Sequence, residues 1–275
     1  MDTRYEARGY LTENFHLFHL KDRPKQNFDW HYHDFHKIIV FLAGQGNYSI
    51  ESERFPLRPG DFIFVSRGCV HRPEITDAED YERIILYISP EYLKRAGGDC
   101  NLETCFDRTR EQFRFVARPS KKYGHILDLL TELETLTDDT GFGSTLLAES
   151  VFLRFLITVT RAVEDSGLTY VPAANTDPKI LSILQYLAEH LTEPLTAEDL
   201  SRQFSISKYH MMRRFKEATG CTIHSYLTAK RLLLARELMH SGISATNACF
   251  DSGFGDYSAF SRAYKKLFGT SPKGK

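Results

Sequence analysis

Four nitrogen-bearing side chains lie close together in the first third of the sequence: His31 and His33 in HYHDFHK, Lys37 four residues beyond His33, and His71 in CVHRP. Three neutral imidazoles can hold zinc or another transition ion with one position open, and His36 is a substitute donor. The same histidines can instead surround a polar small molecule together with Lys37, Tyr48 and Arg72. A third reading has them hydrogen-bonded within the domain or facing solvent. On an extended segment, alternation puts His31, His33 and Lys37 on one face, so an ammonium stands among the imidazoles and opposes a metal. We therefore expect a ligand-binding set of His31, His33, His36, Lys37, Tyr48, His71 and Arg72, with no metal and no cofactor. His31, His33 and His71 are the candidate ligands if a metal is held after all. No catalytic residue is expected.

A different chemistry is encoded near the C-terminus. The segment from Leu195 to Gly220 resembles that from Ile243 to Gly269 once one residue is added to the second turn: Arg213 matches Arg262, Phe215 matches Tyr264, Lys216 matches Lys265 and Gly220 matches Gly269. This is one unit used twice. Each copy opens at a hydroxyl N-cap, Thr196 or Ser244, and a second cap, Ser207 or Asp256, starts another helix after a turn. Met211, Phe215 and Ala218 form an inward stripe in the first copy, and Phe260, Tyr264 and Leu267 in the second. The opposite faces carry Tyr209, Met212, Arg213 and Lys216, then Ser258, Ala259, Arg262, Lys265 and Lys266. A guanidinium there can donate two hydrogen bonds to guanine O6 and N7, while lysines neutralise phosphates. Between the copies, Tyr226 to His240 reads as one helix with Tyr226, Leu227, Leu233, Leu234 and Leu238 as its apolar residues, long enough to separate two reading helices by about one duplex turn.

Upstream, short runs such as IIVFL, NYSIES, DFIFVS and RIILYIS between turn clusters predict a small antiparallel barrel or sandwich from about Phe15 to Tyr87. From Tyr123 to Glu164 the apolar period changes to three and four, which predicts two amphipathic helices. The uncharged, proline-bearing LTYVPAANTDP reads as a linker.

Bulk properties fit a two-part chain. The 275 residues suffice for two cores, and 42% hydrophobic with 26% charged residues is ordinary for a globular protein. No apolar run suits a membrane span, and the N-terminal residues lack the pattern of a secretory signal, so a cytoplasmic protein is expected. The five cysteines are odd in number with no CxxC pair, which argues against a disulfide framework or a zinc ribbon. The net charge is −1, yet residues 177–275 hold 14 Lys+Arg against 9 Asp+Glu and the remainder 21 against 27. The basic part is the candidate phosphate binder.

The last hundred residues resemble the DNA-binding domain of the AraC/XylS family of bacterial regulators. RLLLAREL with Arg231 and Ala235, the phrase ISATNACFDSGFGDYSAFSRAYKKLFG, and Ser271-Pro272 carry the likeness. The resemblance implies base contacts from Tyr209, Met212 and Arg213 in the first unit and from Tyr257, Ser258 and Arg262 in the second. The proline that usually opens the connecting helix is Thr222 here. With the caps and flanking cations, the expected DNA-binding set is Ser207, Lys208, Tyr209, Met212, Arg213, Lys216, Asp256, Tyr257, Ser258, Arg262, Lys265 and Lys266. HYHDFHKIIVFLAGQGNYSI followed by LRPGDFIFVSRGCVHRP is similar to the two-part cupin signature, with Lys37 where metal cupins have Glu.

The resemblance implies an α+β multidomain chain: a cupin-like antiparallel β-barrel over residues 1–120, a helical dimerisation hairpin over 121–168, a linker over 169–178, and an all-α domain with two helix-turn-helix units over 179–275. It implies a homodimer that binds double-stranded DNA, takes a small effector with a sugar as the first guess, and activates transcription, with RNA polymerase as a further partner. It implies no membrane partner and no enzymatic activity. The alternative is a metal-binding cupin sensor or cupin enzyme fused to a DNA-binding domain, and a third reading makes the barrel only a dimerisation scaffold.

Overall fold

The computed structural model describes residues 11, 13–23, 28–75 and 80–272. It forms two compact units, one within residues 1–50 and 54–175 and the other within 176–275 together with 51–53.

The first unit is β-rich. Strands β1 (Phe15–Asp22), β7 (Tyr81–Ile88), β2 (His36–Ala43), β5 (Phe62–Val65), β8 (Val116–Pro119) and β9 (Leu168–Tyr170) lie in that order in one sheet. A second sheet orders β4 (Glu53–Pro56), β3 (Gly46–Ile50) and β6 (His71–Ile75). The two sheets together make a barrel-like antiparallel domain. Strands β2 and β5 are buried on both faces, hence their unbroken apolar runs. Along β2 the two faces serve different cores. Ile38 and Val40 pack with Phe62, Phe64, Leu86 and the helices, whereas Ile39 and Phe41 pack with Tyr48, Ile50 and Phe55 between the sheets. This period of two decides where every β2 side chain goes.

Helices cover the outer face of the larger sheet: α1 (Pro90–Gly97), α2 (Thr104–Glu111), α3 (Ile126–Thr137) and α4 (Ser144–Glu164). Leu129, Leu130 and Leu133 of α3 and Val151, Phe152, Phe155, Leu156 and Val159 of α4 bury one stripe in that core. The stretch expected as linker behaves differently at its start. Residues 168–170 are β9, antiparallel to β8 through Ala117↔Tyr170, because Leu168 and Tyr170 both have apolar surface to pack against.

The second unit is helical: α5 (Pro178–Glu189), α6 (Ala197–Gln203), α7 (Lys208–Thr219), α8 (Ile223–His240), α9 (Ala245–Asp251) and α10 (Tyr257–Phe268). Thr196 and Asp199 make a reciprocal capping box on α6. Ser207, Thr222, Ser244 and Asp256 each accept a backbone N–H of the helix they open. Thr222 thus starts α8 without a proline, and α8 begins three residues earlier than its apolar pattern alone suggests. Helices α7 and α10 both end on left-handed glycines, Gly220 (φ 74°) and Gly269 (φ 75°), where a Cβ would be strained. The inward stripes are Met211, Phe215 and Thr219 in α7 and Phe260, Tyr264 and Phe268 in α10. Each therefore ends one residue later than the sequence pattern gave: Ala218 and Leu267 are half-buried, whereas Thr219 and Phe268 are buried. Arg231 ties α8 to the loop between α5 and α6, its Nε donating to the Leu191 carbonyl at 2.8 Å and its Nη2 to the Glu193 carbonyl at 2.6 Å.

Candidate ligand pocket and nucleic-acid interface

Between the two sheets lies a cavity of about 310 Å³. Its polar lining comes from His31, His33 and Lys37 on one side and Tyr48, Tyr81 and Arg83 on the other, with Ile39, Ile85, Tyr87 and Phe28 supplying apolar surface. Strand parity explains the membership. Lys37 shares the face of Ile39, and Arg83 shares the face of Tyr81, Ile85 and Tyr87. His31 lies outside the regular strands, in a two-hydrogen-bond bridge with His71 (His31 N to His71 O, 3.1 Å; the return bond, 2.9 Å). That bridge brings His31 and His71 rings within 4.4 Å of each other, centroid to centroid.

Lys37 is the electrostatic centre. Its Nζ donates to His33 Nε2 at 2.6 Å and lies 3.5 Å from His71 Nε2, with the Tyr87 ring 4.9 Å away. An ammonium can only donate, so the imidazoles present lone pairs to it. His71 Nδ1 donates to the Cys69 carbonyl at 2.8 Å, and His31 Nδ1 to the Asp29 carbonyl at 2.7 Å. Those backbone partners fix the tautomers and leave both Nε2 atoms as acceptors. Burial, reinforced by the Lys37 charge, holds His33 and His71 well below the ordinary imidazole range and lowers His31 as well. The phenols stay neutral: burial pushes Tyr81 up to about 12 and Tyr48 higher still than its usual value. Arg83 donates from Nη1 to Asp22 at 2.8 Å and to the Tyr81 carbonyl at 3.1 Å, and it stacks 4.1 Å from the Tyr81 ring.

The fit to a metal ion can be tested on this geometry. One nitrogen from each of His31, His33 and His71 falls within 4.8 Å of the others, close enough for a shared ion. Two of the three are oriented by backbone carbonyls, as metal-ligating histidines are. The Lys37 ammonium, however, already uses the His33 Nε2 lone pair, and one lone pair cannot serve both cations. As arranged, the site does not fit a metal.

Three expected pocket residues do not line the cavity: His71 is fully buried, its Nε2 3.5 Å from Lys37 Nζ, and His36 and Arg72 lie elsewhere. His36 has the opposite parity to Lys37 and points to the helix side, where Nε2 donates to Glu103 at 3.0 Å and the ring stacks on Phe106 at 4.2 Å. Arg72 alternates with His71 on β6 and so faces outward, hydrogen-bonded to Glu74 at 3.1 and 3.2 Å and lying 4.7 Å from the Trp30 ring. Arg83 and Tyr81 were not anticipated. The signal was available, since residues 81, 83, 85 and 87 alternate within a run that otherwise reads as continuously apolar.

In the second unit, α7 exposes Tyr209 at 80% and Met212 at 41%, apolar tips that the core would otherwise have claimed. Arg213 and Lys216 are also exposed, with Arg213 Nη2 3.4 Å from His210 Nδ1 and Nε 4.0 Å from Glu217. Lys208 is paired with Glu198 of α6. Arg214, one residue beyond, is withdrawn into a salt bridge with Asp177, its Nε donating at 2.9 Å. On α10, Ser258, Ala259, Arg262, Lys265 and Lys266 are exposed. Tyr257 is not outward: its hydroxyl is buried and its ring packs 5.7 Å from Phe260. Its place one residue before Ser258 turns it toward the core, so in this conformation the expected base contact from its hydroxyl is absent. Ser207 and Asp256 are exposed and spend their oxygens on helix capping.

Comparison with known proteins adds two kinds of finding. The model described as an AraC-like ligand binding domain matches residues 15–156, and one described as a helix-turn-helix domain matches residues 200–274. The HTH-type transcriptional activator RhaS of Escherichia fergusonii is 26% identical over 253 residues, covering 91% of this chain and 88% of the relative. RhaS of Salmonella heidelberg is 29% identical over 255 residues with the same coverage, and RhaS of Citrobacter koseri 27% over 253. Among solved structures, ToxT from Vibrio cholerae O395 is 14% identical, covers 94% of this chain and 95% of its own, and has a TM-score of 0.38. The DNA-binding domain of AdpA in complex with a target DNA is 28% identical, covers 35% of this chain and 87% of its own, and scores 0.33.

Proposed function

This chain belongs to the AraC family of transcriptional regulators, and we propose that it is a sequence-specific activator whose DNA affinity or geometry is set by a carbohydrate bound between its two sheets. The observation that carries the DNA reading is the duplicated capped helix with an outward guanidinium, Arg213 on α7 and Arg262 on α10. Outward lysines next to both, Lys216, Lys265 and Lys266, supply sequence-independent attraction to phosphates. Ser258 completes the base-facing set, and Lys208, Ser207 and Asp256 anchor the helix starts.

The ligand reading rests on the cavity between the sheets, whose lining combines the Lys37 ammonium, the His31 and His33 imidazoles and an aromatic wall. Coupling requires the effector to bind one arrangement of the protein better than another. A homodimer is part of the reading: α4 exposes Leu146 at 72%, Leu147 at 49% and Ile157 at 40%, an apolar strip that a second α4 can cover. Contact with RNA polymerase, a cytoplasmic location and the absence of catalysis follow from the same reading. Among the described residues, no helix is long and apolar enough to cross a membrane.

The test is selection of bound fragments from source genomic DNA, with and without a sugar panel, followed by thermal shift against the same panel. A ligand at a hundred times its dissociation constant adds about 2.7 kcal/mol of stability. Enrichment of one repeated sequence supports the regulator, and uniform recovery of fragments refutes it. A second reading, a metal-dependent sensor or cupin enzyme, draws on the convergence of His31, His33 and His71. Stoichiometric metal in protein purified without chelator, with turnover of a small substrate, would favour it.

A further inference from the structure

A second cavity, of about 380 Å³, lies where α2, the end of α4 and β9 meet, and it shares no lining residue with the cavity between the sheets. Arg108 and Gln112, four positions apart and so on one helical face, reach it from the end of α2. The chain then turns through Phe113, whose φ of 51° is left-handed, and brings Arg114 back to the same cavity. Glu164 in the last turn of α4, Ser166 (φ 55°) and Tyr170 of β9 stand on the other side. A non-glycine residue held left-handed costs stability, and two of them border this one cavity.

The charges of the lining are not matched to one another. Neither Arg108 nor Arg114 makes an ion pair with any described residue, whereas the nearby Arg110 and Arg118 are taken up by Asp107 and Asp61. Arg114 is steadied instead by the Tyr170 ring, its Cζ 5.2 Å from the centroid. Burial raises the Tyr170 phenol while the Arg114 and Arg108 charges both pull it back, so the fields of the two guanidiniums meet there. Each guanidinium presents a planar fork of N–H donors that matches an oxyanion. Two such cations suit a group with two negative charges, and a phosphate monoester carries close to two at neutral pH, where a carboxylate carries one. Among the described lining residues Glu164 alone is acidic, and it is paired with neither arginine. An ionised carboxylate only accepts, so the part of the ligand beside Glu164 must bring protons, as hydroxyl groups do.

We propose that this cavity is a second ligand site, which binds the phosphate monoester of a small hydroxylated compound, with Arg108, Arg114 and Gln112 donating to the phosphate and Glu164 accepting from a hydroxyl. The site is independent of the reading of the cavity between the sheets as the effector pocket. An occupant bridges the ends of α2 and α4 to β9.

The experiment is isothermal titration of the full chain at low salt with glycerol phosphate and glucose phosphate, set against inorganic phosphate and glycerol. At least one ester is expected to bind, about fivefold more tightly than inorganic phosphate and at least about tenfold more tightly than glycerol. Arg108→Gln together with Arg114→Gln should weaken that ester at least about tenfold, and because both side chains are exposed the fold should persist. Glu164→Gln should retain inorganic phosphate and remove the advantage of the ester over it. Arg213→Ala controls for phosphate held by the outward cations of the helical unit and should leave the ester within about twofold. The first comparison uses only unaltered protein, so it stands even if a variant fails to fold. No binding of either ester, inorganic phosphate or glycerol binding as tightly as the esters, or ester binding that survives the double substitution would each overturn the proposal, and all of them leave the cavity between the sheets untouched.

Discussion

Lys37 Nζ and His33 Nε2 are hydrogen-bonded at 2.6 Å, and this contact dictates the protonation of a whole buried cluster. With the lone pair of Nε2 turned to the ammonium, the proton of neutral His33 sits on Nδ1, a buried atom with no hydrogen-bond partner. A second proton on this ring would place two cations in contact. The cluster is therefore built to stay neutral.

Stability should accordingly fall on mild acidification. A base whose folded value lies below its unfolded one, as for His33 and His71, takes up protons on unfolding. Stability is then full above about 6.5 and lost as pH falls below it. Glu53, raised to about 7 by burial, opposes this, since a carboxyl favoured as neutral loses stability as pH rises from about 4.5 to 7. The measurement is the thermal unfolding midpoint between pH 7.5 and 5.5 in Glu53→Gln, with His71→Asn added as the second variant. The midpoint should drop on acidification, and less steeply with His71→Asn. A flat profile in Glu53→Gln would contradict the neutral cluster.

Arg213→Ala and Arg262→Ala should each cost roughly 1 to 3 kcal/mol of operator binding and relax preference at one base pair. Lys216→Ala should weaken all DNA alike and lower the salt slope by about 0.9. Gel-shift titration on singly substituted operators at several salt concentrations separates the two behaviours. Unchanged base selectivity in Arg213→Ala would mean that α7 does not read the groove.

Charge placed on the α4 strip should release monomers. Leu146→Asp with Ile157→Asp alters two exposed positions, so the fold should persist while sedimentation equilibrium reports half the mass of the unaltered protein. A monomer before substitution, or a dimer after it, rules out this face.

Gly253 is the tight point of the turn before α10. It has φ 91°, and a Cβ there would lie 2.8 Å from both Cα and the carbonyl oxygen of Thr192. Gly253→Ala should destabilise the helical unit by about 1 to 3 kcal/mol. Gly255→Ala, which meets nothing within 4 Å, is the control. Equal urea midpoints for the two variants would show that the turn relaxes freely.

Much of this architecture is legible in the residues, and the failures have physical causes. The duplicated caps, the glycine stops and the basic outward faces are local, so Ser207, Gly220, Arg213 and Arg262 could be placed by helical spacing alone. The pocket is a long-range object, yet parity predicts part of it. Alternation that groups His33 with Lys37 also excludes His36, and the alternation that turns His71 inward to Lys37 turns Arg72 outward. Arg83 escaped because β7 is buried on both faces, so the apolar run hides its period. Tyr257 was misplaced for a different reason: a residue at the first helical position can turn either way, and only the packing of Phe260 decides it.

The brace formed by Arg231 has an evolutionary corollary. With α8 clamped at its middle to the carbonyls of Leu191 and Glu193, the span between the flanking units is a fixed length of about 27 Å. A recognition site facing such a ruler can drift by base changes, each eroding affinity a little. It cannot gain or lose a single pair between its two parts, because that would rotate one part around the duplex beyond the reach of a gauge that does not bend.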